Sequence, residues 1–210
     1  MRLPFVLSAV AVLSQAAFVR QAATISFVTT DDKDTIAVEQ ITRTAATLTG
    51  DLGLVQQGTH THYVVHLRTD GSPERVEVIN DARGFFTGTI AFDAIARNSA
   101  RAGGGGLSDK IIMAPPGAYP TIGTSVALMD QLVRRTHLAL GDSAMLPVIN
   151  IRNRNTGLAT LKRIAADSVR VYCDGCMNRG AIEELRFAIA KDGGIAGGTS
   201  PSQHWVIARR

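Results

Sequence analysis

Residues 23–43 have the sequence ATISFVTTDDKDTIAVEQITR, and this segment is the clearest indication of the fold class. Two runs, ATISFVTT and DTIAVEQITR, are rich in β-branched residues and flank the polar sequence Asp31-Asp32-Lys33. Runs of this kind around a short polar turn are typical of a β-hairpin. We therefore expect two antiparallel strands here.

The same pattern continues along the chain on both sides of its middle. Apolar residues alternate with polar ones, and Gly, Asp and Pro separate the runs, which is typical of a meander of antiparallel strands. Residues 181–190 fit a short helix on propensity, but Leu185, Phe187 and Ile189 alternate, which favours a strand. The expected strands fall in two runs, residues 23–92 and residues 145–208.

Between the two runs the pattern changes. Residues 100–120 contain Gly103 to Gly106 and Pro115-Pro116-Gly117, a composition that predicts an irregular crossing. Residues 121–140 then carry apolar residues at helical spacing, with a helix start at Thr121 or Thr124, and Gly141 follows as a natural end. Ser125 is expected in the first turn of this helix. Its apolar stripe requires a sheet to cover it.

The beginning of the chain resembles a secretory signal. Residues 1–16 have a positive charge at Arg2, an apolar run and then Ser14-Gln15-Ala16, which predicts cleavage after Ala16. The apolar run is too short for a membrane anchor. Residues 17–210 are then one β-rich domain that is exported to the periplasm or beyond, with no integral membrane span.

The net charge and its distribution along the chain indicate which kinds of partner to expect. Without Arg2 the chain has 21 basic and 18 acidic residues, a net charge of about +3, and the charges are spread along the sequence. Recognition of nucleic acid needs a basic patch or stripe, so we expect no nucleic-acid partner.

The order of strands, one helix and more strands predicts a mainly β (α+β) fold. We expect a strongly curled antiparallel sheet or open half-barrel, with the helix packed on its concave side. The exported start, the DTIAVEQITRT hairpin, the PPGAYP crossing and the KDGG turn resemble a group of uncharacterised secreted bacterial β-rich proteins. Their layout is similar to the open half-barrels of lipoprotein-carrier proteins. This resemblance implies a hydrophobic ligand or partner.

Three of the five histidines fall in THTHYVVH, residues 59–66. Alternate residues of a strand share a face. His60, His62 and His66 therefore point one way, while Tyr63 and the other residues on its face point to the core. His60 and His62 have the spacing of two zinc ligands, but His66 lies roughly 13 Å beyond His62. We expect a solvated or lumen-lining polar face, with a metal site as the alternative.

The only cysteines are Cys173 and Cys176, separated by Asp174-Gly175. A single CxxC can serve redox chemistry or bind metal. In an oxidising compartment, and across a tight turn, the pair predicts a local disulfide.

These features favour a non-catalytic binding protein for a hydrophobic small molecule or a lipidated protein, with no cofactor. The ligand would lie between the concave sheet and residues 121–140. A metal-dependent enzyme using His60 and His62 is the first alternative, and a structural envelope protein without a ligand is the second. The residues expected to form the hydrophobic wall are Leu48, Phe86, Ile90, Val126, Met129 and Val133.

Overall fold

The structure is a computed structural model, and it describes residues 23–81, 87–92, 96–102, 106–112, 117–152, 155–174, 176 and 182–210. The signal predicted at residues 1–16 and the wall residue Phe86 lie outside these ranges. No helix in the described ranges has the length and apolar character needed to cross a membrane.

Fifteen strands and one helix make up the described chain, and the strands form one sheet. The helix, α1, is Val126–Thr136. The strands are β1 Ala23–Asp31, β2 Asp34–Arg43, β3 Thr47–Leu54, β4 Thr59–Leu67, β5 Pro73–Asn80, β6 Gly88–Phe92, β7 Ala96–Ala102, β8 Gly106–Ile112, β9 Tyr119–Thr121, β10 Ser143–Asn150, β11 Asn155–Ala165, β12 Ser168–Asp174, β13 Ile182–Ile189, β14 Ile195–Ser200 and β15 Trp205–Arg209.

The two ends of the chain meet in the middle of the sheet. Strand β1 pairs antiparallel with β15, for example Phe27 with Arg209. From this seam one meander runs from β1 to β8 and the other from β15 back to β10, and β9 adds in parallel to β10. Strands β8 and β9 are the two ends of this order, so the sheet is large and not closed.

Strand alternation places one face of the sheet in the core. On β2 the inward positions are Ala37, Glu39 and Ile41, and on β4 they include Tyr63 and Val65. The predicted faces of the histidine strand are therefore confirmed. Because a strand turns every second side chain to the same side, short alternating runs were sufficient to predict the inward face.

The helix is shorter than predicted. It begins after Ser125, whose side chain accepts a hydrogen bond from the backbone N–H of Leu128, and it ends where His137 turns left-handed at φ 42°. The prediction of residues 121–140 was wrong at both ends. At its start, Tyr119–Thr121 pairs with β10, so these residues form a strand instead.

The prediction of an irregular crossing at residues 100–120 was also partly wrong. This segment contains the end of β7, all of β8 and the start of β9. Of the glycines that predicted a linker, Gly106 begins β8, and Gly103 to Gly105 lie outside the described residues.

The sheet wraps around α1. The helix residues from Val126 to Val133 are all buried, although a helix resting on a flat sheet would bury only one stripe. Side chains from β2 reach it on one side, and the start of β14 reaches it from the other. A curled antiparallel sheet with one helix on its concave side is the architecture that the sequence predicted, and the structure confirms it.

Candidate functional site

A buried carboxylate from the sheet closes the N-terminus of α1. Glu39 is 2% exposed, and its Oε2 accepts hydrogen bonds from the backbone N–H groups of Val126 (2.8 Å) and Ala127 (2.9 Å). Its Oε1 accepts from the hydroxyls of Ser125 (2.6 Å) and Tyr63 (2.6 Å). A helix N-terminus has unsatisfied N–H groups and partial positive charge, so this carboxylate stabilises the helix. Burial raises the pKa of Glu39, and the hydrogen bonds oppose that rise.

Tyr63 reaches this carboxylate across a glycine. Tyr63 on β4 lies opposite Gly50 on β3, and Glu39 is on the next strand, β2. A Cβ atom at Gly50 would lie 2.1 Å from Cζ of Tyr63, so only glycine leaves room for the ring. Burial, and then the charge of Glu39, raise the pKa of Tyr63 well above its usual range. The hydroxyl therefore remains a donor.

A second buried carboxylate joins α1 to two parts of the sheet. Asp130 is 1% exposed, and its Oδ2 accepts hydrogen bonds from Arg43 Nη2 (2.6 Å) and Arg134 Nε (2.9 Å). Its Oδ1 accepts from the backbone N–H of Ile195 on β14. Arg134 continues to Asp192 through Nη2, at 3.1 Å from Oδ2. These contacts join the helix to β2, to β14 and to the turn that contains Asp192.

An open pocket of about 300 Å³ lies at one end of the curled sheet, where several hairpins turn. Its residues come from strands β1 to β5 and β15, from the turns after β3, β10 and β14, and from the segment just before α1. Concave, partly apolar sites of about 300–1,000 Å³ are typical of small-molecule binding. The lining residues are Asp31, Ile36, Leu52, Leu54, Gln56, Gln57, Thr59, Thr61, Val78, Asn80, Ile122, Gly123, Thr124, Ile151, Arg152, Gln203 and Trp205. We call this cavity the end pocket.

The end pocket is apolar at its floor and polar at its rim. Its buried lining residues include Leu52, Val78, Ile122 and Ile151. The exposed lining residues are Gln56, Gln57 and Arg152. The hydroxyl oxygen of Thr124 is shielded from solvent and has no hydrogen-bond partner within the described part of the chain. The inner end of a bound ligand would therefore contact mainly apolar atoms.

The predicted wall residues occupy a different place. Leu48, Ile90, Val126, Met129 and Val133 are all buried in one core cluster with the sheet and the helix. None of these five lines the end pocket. Val133 lines a smaller pocket, of about 230 Å³, beyond the C-terminal end of α1. Their assignment to a ligand wall stays a prediction.

The histidines lie on the outer face and pair with carboxylates. His62 Nδ1 is 2.7 Å from Asp51 Oδ1, His60 Nε2 is 3.7 Å from the same oxygen, and His66 Nε2 is 3.0 Å from Glu77 Oε1. Across the described ranges, no group of three or more His, Cys, Asp or Glu side chains is placed to hold one metal ion. A metal site at His60 and His62 stays a prediction, which elemental analysis of untagged protein can test.

Cys173 and Cys176 form a disulfide, as the sequence predicted. The carbonyl of Cys176 accepts a hydrogen bond from Asn150 Nδ2 (2.7 Å), and Asn150 Oδ1 accepts one from the backbone N–H of Arg152 (3.0 Å). The disulfide therefore lies behind the turn that supplies Ile151 and Arg152 to the end pocket.

These features define a class: a mostly β protein with a barrel-like open sheet around one helix and a pocket at its end. A DUF1089 family protein from Pseudomonas aeruginosa is similar over 78% of this chain and 89% of its own, with a TM-score of 0.54 and 14% identity. A β-barrel-like protein of the domain of unknown function DUF1849 from Brucella abortus is similar over 91% of this chain and 96% of its own, with a TM-score of 0.53 and 10% identity.

At these identities the two structures show the fold alone. No protein-family model matches the chain, and no curated protein matches it. The resemblance to β-rich proteins of unknown function is therefore supported. Neither structure is described as a lipoprotein carrier, so that part of the resemblance stays a prediction.

Sequence reasoning missed Glu39, although a signal for it was present. Glu39 lies between Ala37 and Ile41 on the same face of β2, and a charged residue in an inward row requires a buried partner. The end pocket left no such signal. Its residues come from strands and turns that are distant in sequence, and only the curl of the sheet brings them together.

Proposed function

We propose that this protein binds a small hydrophobic ligand in the end pocket, without catalysis, outside the cytoplasm. The observation that carries the proposal is the buried apolar floor formed by Leu52, Val78, Ile122 and Ile151 beneath an open mouth. Release of water from such a surface contributes roughly 25 cal/mol for each Å² buried. The core around α1 is packed, so the ligand enters at the end of the sheet rather than beneath the helix.

The volume of the end pocket favours a small ligand with one acyl chain over a lipidated protein. At roughly 30 Å³ for a group the size of a water molecule, about 300 Å³ holds about ten methylene groups. A lipid anchor with two or three acyl chains is larger than this. The ligand that fits is therefore a small molecule with one medium-length chain or an apolar ring system of similar size.

Export is supported by two features of the chain. Residues 1–16 have the charge and apolar run of a secretory signal, and the disulfide between Cys173 and Cys176 is of a kind that persists in oxidising compartments. A structural envelope protein would share both features, so the ligand test separates the two functions.

The uncharged apolar dye N-phenyl-1-naphthylamine is a suitable probe of the end pocket. We expect residues 17–210 to bind one dye per chain, and Leu54→Arg to lose the binding because it places a charge in the pocket lining. Leu158→Arg is the matched control, since Leu158 is 48% exposed and does not line the pocket. Dye binding that is absent from the wild type, or equal in both variants, would contradict the proposal.

A further inference from the structure

We propose that the end pocket selects an amphiphile with one chain and an uncharged, hydrogen-bonding head group, bound with its chain inward. This inference rests on the proposed function and adds the chemical class of the ligand. Three arguments support it: the weak affinity that burial of the chain alone would give, the charges at the mouth, and the hydroxyl of Thr124.

Chain burial alone gives weak binding. Ten buried methylene groups contribute about 8 kcal/mol, and association costs at least about 4 kcal/mol. The remainder corresponds to a Kd of about 1 mM. A useful affinity therefore requires contacts with the polar atoms that surround the mouth.

The polar atoms at the mouth suit an uncharged head group. The amides of Gln56, Gln57 and Gln203 line it, and each offers both donors and an acceptor. Among the described residues, the charged ones that line the pocket are Asp31 and Arg152, which have opposite signs. These two opposite charges give no net preference for an anionic or a cationic head group, since each is attracted by one residue and repelled by the other. A charged head group also loses hydration in the pocket, whereas an uncharged group that accepts and donates hydrogen bonds can pair with the amides.

The helix N-terminus beside the pocket does not create an anion site. Such a terminus would ordinarily attract a carboxylate or phosphate. Here the backbone N–H groups of Val126 and Ala127 already donate to Glu39, at 2.8 and 2.9 Å. The carboxylate of this chain thus occupies the place that an anionic ligand would take, and it leaves the mouth without a positive bias.

Thr124 supplies a contact between the chain and the head group. Its hydroxyl oxygen is buried and, in the part of the chain that the structure describes, has no hydrogen-bond partner. It lines the end pocket beside Gly123, where an added Cβ would meet no atom within 4 Å. Because this oxygen is shielded from solvent, a rotation about χ1 of Thr124 is needed to turn the hydroxyl into the pocket, where it can donate to the carbonyl of an ester or amide that links an acyl chain to its head group.

The single tryptophan of the chain makes the test direct. Trp205 lines the end pocket, and the sequence contains one Trp, so its fluorescence reports the pocket. Three probes with ten-carbon chains differ only in the head group: monodecanoylglycerol, decanoate and decyltrimethylammonium, each used below its micelle concentration. We expect monodecanoylglycerol to bind about two- to tenfold more tightly than either charged probe, by the size of one well-placed polar contact.

The outcomes separate this inference from the proposed function. Equal affinity for the three probes, or preference for a charged one, would overturn the head-group inference while the binding function stands. If none of the probes binds, the head-group inference is overturned, and the result with N-phenyl-1-naphthylamine decides the binding function by itself.

Thr124→Val tests the internal contact with little change of shape. We expect it to weaken monodecanoylglycerol about two- to tenfold, the effect of one neutral hydrogen bond, and to leave dye binding unchanged. Thr49→Val, on the outer face of β3, is the matched control. Equal weakening of the dye and of monodecanoylglycerol by Thr124→Val would show a packing role and overturn the assigned contact.

Discussion

Replacement of Glu39 tests whether a hydrogen-bond acceptor, rather than a charge, holds the helix in the sheet. In Glu39→Ala the backbone N–H groups of Val126 and Ala127 lose their acceptor in a buried site. Each buried donor without a partner costs about 1–3 kcal/mol, so we expect a loss of about 2–6 kcal/mol of unfolding free energy. Domains of this kind are stable by about 5–15 kcal/mol, so the loss is a large fraction.

Glu39→Gln is the matched variant. The amide oxygen can still accept from the two backbone N–H groups, and the amide nitrogen can donate to the hydroxyl oxygens of Ser125 and Tyr63. We therefore expect Glu39→Gln to lie within about 1 kcal/mol of the wild type. Urea unfolding followed by Trp205 fluorescence and circular dichroism would give the three free energies.

The direction in which the unfolding free energy changes with pH follows from the pKa of Glu39. Burial raises the pKa of Glu39 in the folded state above 4.5, so the folded state holds this proton more tightly than the unfolded state. The stability that this group contributes is fully present below pH 4.5 and is lost as the pH rises through the folded pKa. Glu39→Gln cannot titrate, so its stability relative to the wild type should increase as the pH rises above 4.5.

Two results would refute this account of Glu39. Equal destabilisation by Ala and Gln would show that the charge, not the acceptor, is needed. A relative stability of Glu39→Gln that falls with increasing pH would show that the folded state prefers the ionised carboxylate. Glu77→Gln, at a half-exposed outer site, provides the control, and its expected effect is under about 0.5 kcal/mol.

Three further predictions use the same unfolding measurements. Gly50→Ala should cost about 1–3 kcal/mol because its Cβ would lie 2.1 Å from the buried Tyr63 ring, and an unchanged urea midpoint would contradict this packing. Asp130→Ala should cost about 3–5 kcal/mol because Arg43 loses its buried partner, whereas a cost under 1 kcal/mol would mean that the pair is not formed. Reduction of Cys173–Cys176, which are three positions apart, should cost about 2 kcal/mol by the loop-entropy relation, and identical melting with and without dithiothreitol would argue against the disulfide.

The strands were predictable because their signal is local. A run such as DTIAVEQITR specifies its inward face through neighbouring residues alone, and β2 has the predicted bounds. The helix ends were less predictable, because they depend on distant partners. Tyr119–Thr121 is drawn into the sheet by β10, and Ser125 begins the helix beside a carboxylate from β2. Helical spacing contains no information about either partner.

An apolar stripe on a helix does not by itself locate a pocket. The predicted ligand wall on α1 assumes a gap between the sheet and the helix, and it stays a prediction. The carboxylate of Glu39 joins the N-terminus of the helix to the sheet, and the carboxylate of Asp130 joins the middle of its buried segment to β2 and β14. Close packing of a protein interior then fills the concave side. Open space borders the helix beyond its two ends, in the end pocket over Ile122, Gly123 and Thr124 and in the smaller pocket beside Val133, and the proposed ligand site is the larger of these two.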